Sequence, residues 1–303
     1  MKENMETVGT LSGNKIVRLR NILFATDFSV ASERALNYAL AIARRYDSHL
    51  HVVHVIRPDM YQVVPPDPFG AALELVRPAA EREMADLLVS GRLRGVSHDV
   101  LLEEGGIWPV LSRLITEKEI DLVVLGTHGR TGARKLFLGS VAEEIFRLAR
   151  CPVLTVGPKA SDQPLEEEEF RHIVYATDFG PTSERALPYA LSLAKEHQAR
   201  LTLMHVAEDI HDVPAEDIGK LRESFTGRLE KLVPPGTELW CEPEFVVGFG
   251  PAVERILEFA THRKPDLIVL SIRGDGPFLG HLPATKAYKI VCQAPCPVLT
   301  VRG

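Results

Sequence analysis

The sequence predicts an open, mostly parallel α/β sheet with helices on both faces, built twice in tandem. Three observations carry that expectation. Short apolar runs alternate with segments whose apolar residues recur at helical spacing, in the order β-α-β-α-β-α-β-α-β. Blocks of residues from the first half then recur in the second at a fixed offset. Finally, one strand runs into a glycine-rich, basic loop and then a helix, from Leu122 to Ser140.

Taken in order, residues 1–18 are polar and read as a loose leader of the first domain. Asn21-Ile-Leu-Phe-Ala-Thr-Asp-Phe-Ser29 gives a short strand ending at Asp27. Ala31 to Tyr46 is helical, with Ala35, Leu36, Ala39, Leu40 and Ala43 on one face and Ser29 or Ser32 as N-cap. His49 to Ile56 is a β-branched second strand. Pro58, Pro65, Pro66 and Pro68 exclude regular structure after it. A helix is predicted from Ala71 to Leu93, a strand from His98 to Glu103 and a helix from Ile107 to Lys118. Leu122 to Leu125 is apolar throughout, as a buried parallel strand should be. A helix over Val141 to Arg150 and a closing strand, Cys151 to Val156, complete the unit.

The unit then repeats. Ala25-Thr-Asp-Phe recurs as Ala176-Thr-Asp-Phe, Ser32-Glu-Arg-Ala-Leu as Ser183-Glu-Arg-Ala-Leu, and Val53-His-Val as Met204-His-Val. Asp121-Leu-Val-Val-Leu returns as Asp266-Leu-Ile-Val-Leu, and Cys-Pro-Val-Leu-Thr-Val is identical at 151 and 296. The offset is 151 residues as far as the second strand and 145 from about Gly105 onward, so the second copy is shorter in the excursion after its second strand. The domains are therefore expected at 1–158 and 170–303, joined by a linker-like stretch at 159–169.

Composition excludes several classes. With 45% hydrophobic and 25% charged residues the chain is of soluble globular type, and a net charge of −6 offers no global attraction to nucleic acid or an anionic membrane. No apolar run reaches the roughly 18–20 residues of a membrane span, and Met1-Lys-Glu-Asn-Met-Glu lacks a signal-peptide core. The four cysteines read as buried or inert thiols and fit a reducing cytoplasm; no finger-like His/Cys spacing completes a zinc site, and no metal site is expected.

Strand, glycine loop and helix start together make a phosphate-binding arrangement. Glycines let backbone N–H groups approach an anion, and a helix start leaves unpaired donors and a positive dipole end. Arg130, Arg134 and Lys135 add positive charge to the loop. Weighed against this, Ser140 with Glu143 forms a capping box, Asp27 has a capping role open to it, and Thr127 and His128 serve to shape the loop. His51, His54 and His205 read as packed side chains.

Each half resembles a universal stress protein domain, and the whole resembles a tandem, UspA-like universal stress protein. The resemblance rests on the spacing Gly126, Gly129, Gly139, Ser140 after a strand, with Asp27 after the first strand. It implies two flavodoxin-like (HUP-type) five-stranded domains of strand order 3-2-1-4-5, with a crevice where the winding reverses, between the first and fourth strands. It further implies ATP as bound ligand, with Mg as an open question. Ala25, Thr26, Asp27 and Val55 would line the adenine and ribose side, and Gly126 would leave room for the ribose. Gly129, Gly139, Ser140 and Val141 would face the phosphates, and the loop charge of Arg130, read from the residues themselves, would favour them electrostatically.

The second copy departs from this pattern. Gly126 becomes Ser271, Gly139 becomes Ala284 and Ser140 becomes Thr285, while Gly129 persists as Gly274. Arg130, Arg134 and Lys135 become Asp275, Leu279 and Gly280. A weaker second site is expected around Asp178, Val206, Gly274 and Thr285, binding ATP feebly or not at all.

No catalytic machinery stands out: there is no Walker lysine, Gly-x-Ser-x-Gly elbow, HExxH or kinase set, so at most slow hydrolysis is expected. The leading expectation is a cytoplasmic stress-response protein acting through conformation or partners. An ATP-using enzyme on the same fold and a nucleotide-independent assembly protein are the alternatives. The apolar closing strands call for covering, which suggests an intramolecular pairing of the two domains and leaves room for a homodimer.

Overall fold

The computed structural model describes residues 8–11, 14–57, 69–127, 138–160, 169–208, 213–272 and 285–303. The chain divides into two compact units, one built on residues 19–127 with 138–156 and the other on 157–303 together with the amino-terminal segment. That segment is an antiparallel hairpin of β1 (Val8–Leu11) and β2 (Asn14–Val17), pairing Val8 with Val17, where a loose leader was expected. Its strand β2 runs beside a helix of the second unit, so this hairpin groups with that unit and not with the first.

In the first unit β3 (Asn21–Ala25), α1 (Val30–Tyr46), β4 (His49–Ile56), α2 (Phe69–Val89), β5 (Ser97–Glu104), α3 (Ile107–Glu117), β6 (Leu122–Gly126), α4 (Ser140–Leu148) and β7 (Val153–Val156) follow one another. The strands lie in the order β7-β6-β3-β4-β5 and every pair is parallel. The second unit has β8 (His172–Thr177), α5 (Ser183–Glu196), β9 (Arg200–Ala207), α6 (Ile218–Glu230), β10 (Glu244–Phe249), α7 (Ala252–Arg263), β11 (Leu267–Ile272), α8 (Lys286–Gln293) and β12 (Val298–Arg302). Its order is β10-β9-β8-β11-β12, again all parallel. Counted within each domain, both sheets run 3-2-1-4-5. The proline-rich excursion lies outside the described residues.

β6 is buried along Leu122–Leu125, which is why it reads as an unbroken apolar run, and every residue of β7 and β8 is buried as well. Ile22, Leu23, Leu50, Val123 and Val124 form the first core, and Tyr175, Leu203, Leu267, Ile268 and Val269 the second. The repeated aspartate before the fourth strand has a structural role in both copies. Asp121 accepts the backbone N–H groups of Arg20 and Asn21 at 2.7 and 3.0 Å, and Asp266 those of Arg171 and His172, both at 2.8 Å. Each carboxylate thus ties the start of the fourth strand to the start of the first.

The four cysteines are free thiols. Burial pushes Cys151 up to about 12, and Cys296 is driven higher still by the same cause, so both stay protonated and weakly nucleophilic at neutral pH.

Candidate functional site

The sharpest local feature is a turn after the first strand of each domain. In the first domain Oδ1 of Asp27 accepts the Ser29 N–H at 3.0 Å and the Ser32 hydroxyl at 2.5 Å. Thr26 Oγ1 accepts the Phe28 N–H at 3.0 Å, and Nδ1 of His54 lies 2.8 Å from the Thr26 carbonyl oxygen. The second domain repeats this atom for atom. Asp178 Oδ1 accepts from Gly180 N–H at 2.8 Å and Ser183 Oγ at 2.6 Å, Thr177 Oγ1 from Phe179 N–H at 3.0 Å, and His205 Nδ1 is 2.9 Å from Thr177 O. Phe28 and Phe179 stand at φ 59° and 57°, left-handed backbone that a bulky residue adopts only when its surroundings impose it. The aspartates therefore do cap the turn into the helix, and Ser29 is the residue that caps α1, its Oγ accepting from Ser32 N–H at 3.3 Å.

Ala25, Thr26 and Asp27 close β3, Val55 lies near the end of β4 and Gly126 ends β6. Since β3 pairs with both β4 and β6 in parallel, all five reach the carboxyl edge of one sheet, at the strand where winding reverses. Gly126 is not an open space at that edge. A Cβ there would stand 2.7 Å from the backbone carbon of Ala31 and 2.9 Å from its Cβ, so the glycine is required by the approach of α1. Thr127 is fully buried and brackets the loop: its N–H donates to Val156 O at 3.0 Å, and its carbonyl accepts from Gly139 N–H at 2.7 Å. Residues 128–137, with Gly129, Arg130, Arg134 and Lys135, lie outside the described residues, as does Gly274.

The two helix starts on the loop's far side differ. The N-cap of α4 is Gly139, at φ −60° and ψ 154°, with no side-chain cap bond; the capping box expected at Ser140 does not form, because Ser140 is already the first helical residue. The first-turn N–H groups of Ser140 and Val141 have no acceptor within the helix. In the second domain Thr285 is the N-cap of α8, and its Oγ1 accepts the Tyr288 N–H at 3.2 Å.

The second domain's cleft has a volume of about 170 Å³ and is walled by Asp178, Val206, Ser271, Ile290 and an ion pair between Glu208 and Lys286. Glu208 also accepts the Ala252 N–H, at the start of α7, at 2.9 Å. The Lys286 hydrogen bond, then the Ala252 N–H, hold its carboxyl below the usual carboxylate range. Glu208 follows β9 directly, and the residue in the same place after β4 is Arg57. The backbone confirms the equivalence, since Gly105 N–H donates to Ile56 O and Gly250 N–H to Ala207 O, both at 3.0 Å. The two copies thus carry opposite charges at this position, arginine in the first and glutamate in the second. His54 and His205, read from the sequence as packed side chains, each support the turn beside them through Nδ1.

Two five-stranded parallel sheets, each with a switch point at its first strand, define a tandem, doubly wound α/β protein. The model of the universal stress protein family matches residues 18–157 and again 169–302, and the chain belongs to that family. A universal stress protein of Mycolicibacterium smegmatis is 26% identical over 295 residues, covering 93% of this chain and 96% of its own. A single-domain universal stress protein of Thermus aquaticus is 32% identical over 138 residues, 44% of this chain and 99% of its own. Among solved structures, a universal stress protein from Archaeoglobus fulgidus shares the fold with a TM-score of 0.69 at 20% identity, covering 93% of this chain and 98% of that one. Among the described residues no helix is long and apolar enough to cross a membrane.

Proposed function

We propose that the first domain binds ATP, or a closely related adenine nucleotide, at the carboxyl edge of its sheet, and that the chain is a cytoplasmic stress-response protein working through conformation or partners instead of rapid chemistry. One observation carries this reading: the difference between two copies of the same edge. In the first, α4 begins at a glycine with no side-chain cap, and Arg57 follows the neighbouring strand. Both favour an anion there. In the second, Thr285 caps α8 itself and the Glu208 carboxylate occupies the space between the starts of α7 and α8. A triphosphate would meet a fixed negative charge, in a cleft of about 170 Å³ against the roughly 300–1,000 Å³ usual for ligand sites.

Titration calorimetry of the full chain with ATP, with and without Mg²⁺, is expected to show one site per chain. Gly139→Asp supplies a better N-cap but sets a carboxylate at the phosphate end. It should weaken ATP binding at least about tenfold while leaving thermal stability unchanged or higher. Undiminished binding in that variant, or two equal sites per chain, would sink the proposal. Mass analysis of the ligand released from purified protein identifies the nucleotide, and slow or absent phosphate release separates a binder from an enzyme.

A further inference from the structure

At the other end of the first sheet, away from the crevice, two histidines and an aspartate converge. His49 and His51 alternate along β4, so both project from one face, and the strand register sets His51 opposite Asp99 on β5. His51 Nδ1 lies 2.7 Å from Asp99 Oδ1, and His49 Nε2 lies 3.8 Å from the same oxygen. The three ligand atoms all fall within 4.8 Å of one another. We propose that His49, His51 and Asp99 form a binding site for a divalent transition ion of the zinc and cobalt class.

The chemistry of the set supports the choice. Two imidazoles and one carboxylate suit zinc-like ions, whereas magnesium and calcium prefer all-oxygen sites. Ligand atoms around tetrahedral zinc stand about 3.3 Å apart, a spacing that falls between the two distances seen here. His49 is also oriented: its Nδ1 is 2.8 Å from Ser97 Oγ, and donation from Nδ1 to that hydroxyl leaves the Nε2 lone pair facing Asp99. Lys118 donates to the other aspartate oxygen, Oδ2, at 3.3 Å, leaving Oδ1 to the imidazoles. His51 is buried while the His49 and Asp99 side chains are about one-third exposed, 35% and 32%, so an ion can enter from solvent and keep a water ligand. Metal uptake at His51 requires a deprotonated Nδ1, with the proton carried on Nε2, which has no partner among the described residues.

The second domain supplies an internal control. At the same register positions it has Arg200, Thr202 and Glu244, and the carboxylate is held by Arg263 at 2.6 and 2.7 Å. That is an ordinary ion pair with no ligand set. If the first-domain cluster were only such a pair, its imidazoles would be spectators.

The experiment uses the untagged full chain, stripped with chelator and titrated with Co²⁺ by visible absorption, then with Zn²⁺ in competition. The expected result is one saturable Co²⁺ per chain, displaced by Zn²⁺, with a melting temperature that rises with ion concentration. His49→Ala and Asp99→Asn should each weaken binding by at least about tenfold, while Glu244→Gln leaves it unchanged. Both altered side chains are partly exposed, and melting curves without ion verify that each variant is folded. Absence of saturable Co²⁺ uptake, or equal affinity in His49→Ala, overturns the assignment.

Discussion

Gly126 and Ala31 touch backbone to backbone: a Cβ on Gly126 would lie 2.7 Å from the carbonyl carbon of Ala31 and 2.9 Å from its oxygen. The second domain has a serine at the equivalent place, and Ser271 Oγ sits 3.3 Å from Ser183 Oγ, so that copy of the helix leaves room for a side chain. Gly126→Ala should therefore destabilise the first domain by about 1–3 kcal/mol through overpacking. Urea denaturation read by circular dichroism tests it, and an unchanged midpoint would contradict the contact. Because the missing Cβ faces α1, any loss of ATP in this variant should come with that destabilisation, unlike the loss in Gly139→Asp.

The hydroxyls of Ser32 and Ser183 each donate to an aspartate, at 2.5 and 2.6 Å. Removing the donor leaves the half-buried Asp27 carboxylate one bond short, worth about 1–2 kcal/mol for a charge-assisted bond, whereas Asp178 is exposed and water can replace the lost hydroxyl. Ser32→Ala should thus lower stability more than Ser183→Ala. Only Ser32→Ala should also weaken ATP binding, since the turn it holds borders the proposed site. Equal effects of the two variants on ATP affinity would argue against a single competent domain.

Glu208 gives a pH-dependent contribution whose sign follows from its partners. Its folded pKa lies below the ordinary 4.5, because Lys286 and the Ala252 N–H favour the carboxylate. The native state accordingly binds fewer protons than the unfolded chain near that value. The stabilisation is complete above about 4.5 and disappears as pH falls through the depressed folded value. Wild type should exceed Glu208→Gln in urea midpoint at pH 7, and the gap should close on acidification below that window.

His172 and His205 carry the opposite charge type but the same slope. Burial, the largest influence on each, lowers both pKa values below 6.5, with Arg200 and Arg228 respectively adding to the effect. The unfolded chain takes up protons first as pH drops through 6.5, so stability is full above that value and declines below it. Melting temperature should fall between pH 7 and 5.5. His172→Gln should flatten that fall; an unaltered slope would exclude this residue as its source.

The alternation of apolar strands with amphipathic helices, and its repetition, were enough to read two doubly wound domains from the chain alone. Periodicity is a local property, and β4, predicted from His49 to Ile56, has those bounds in the structure. Asp27 and Gly126 likewise stood out at the ends of the first and fourth strands, because tight turns and helix starts are written in consecutive residues. Pairings between residues distant along the chain were decided only by the tertiary structure. The sequence could not show that Gly126 answers to Ala31, that Glu208 pairs with Lys286, or that Ser140 begins a helix already capped by Gly139. Nor could it bring Asp99 to His49 and His51, since strand register depends on how a whole sheet packs its faces and not on any single stretch.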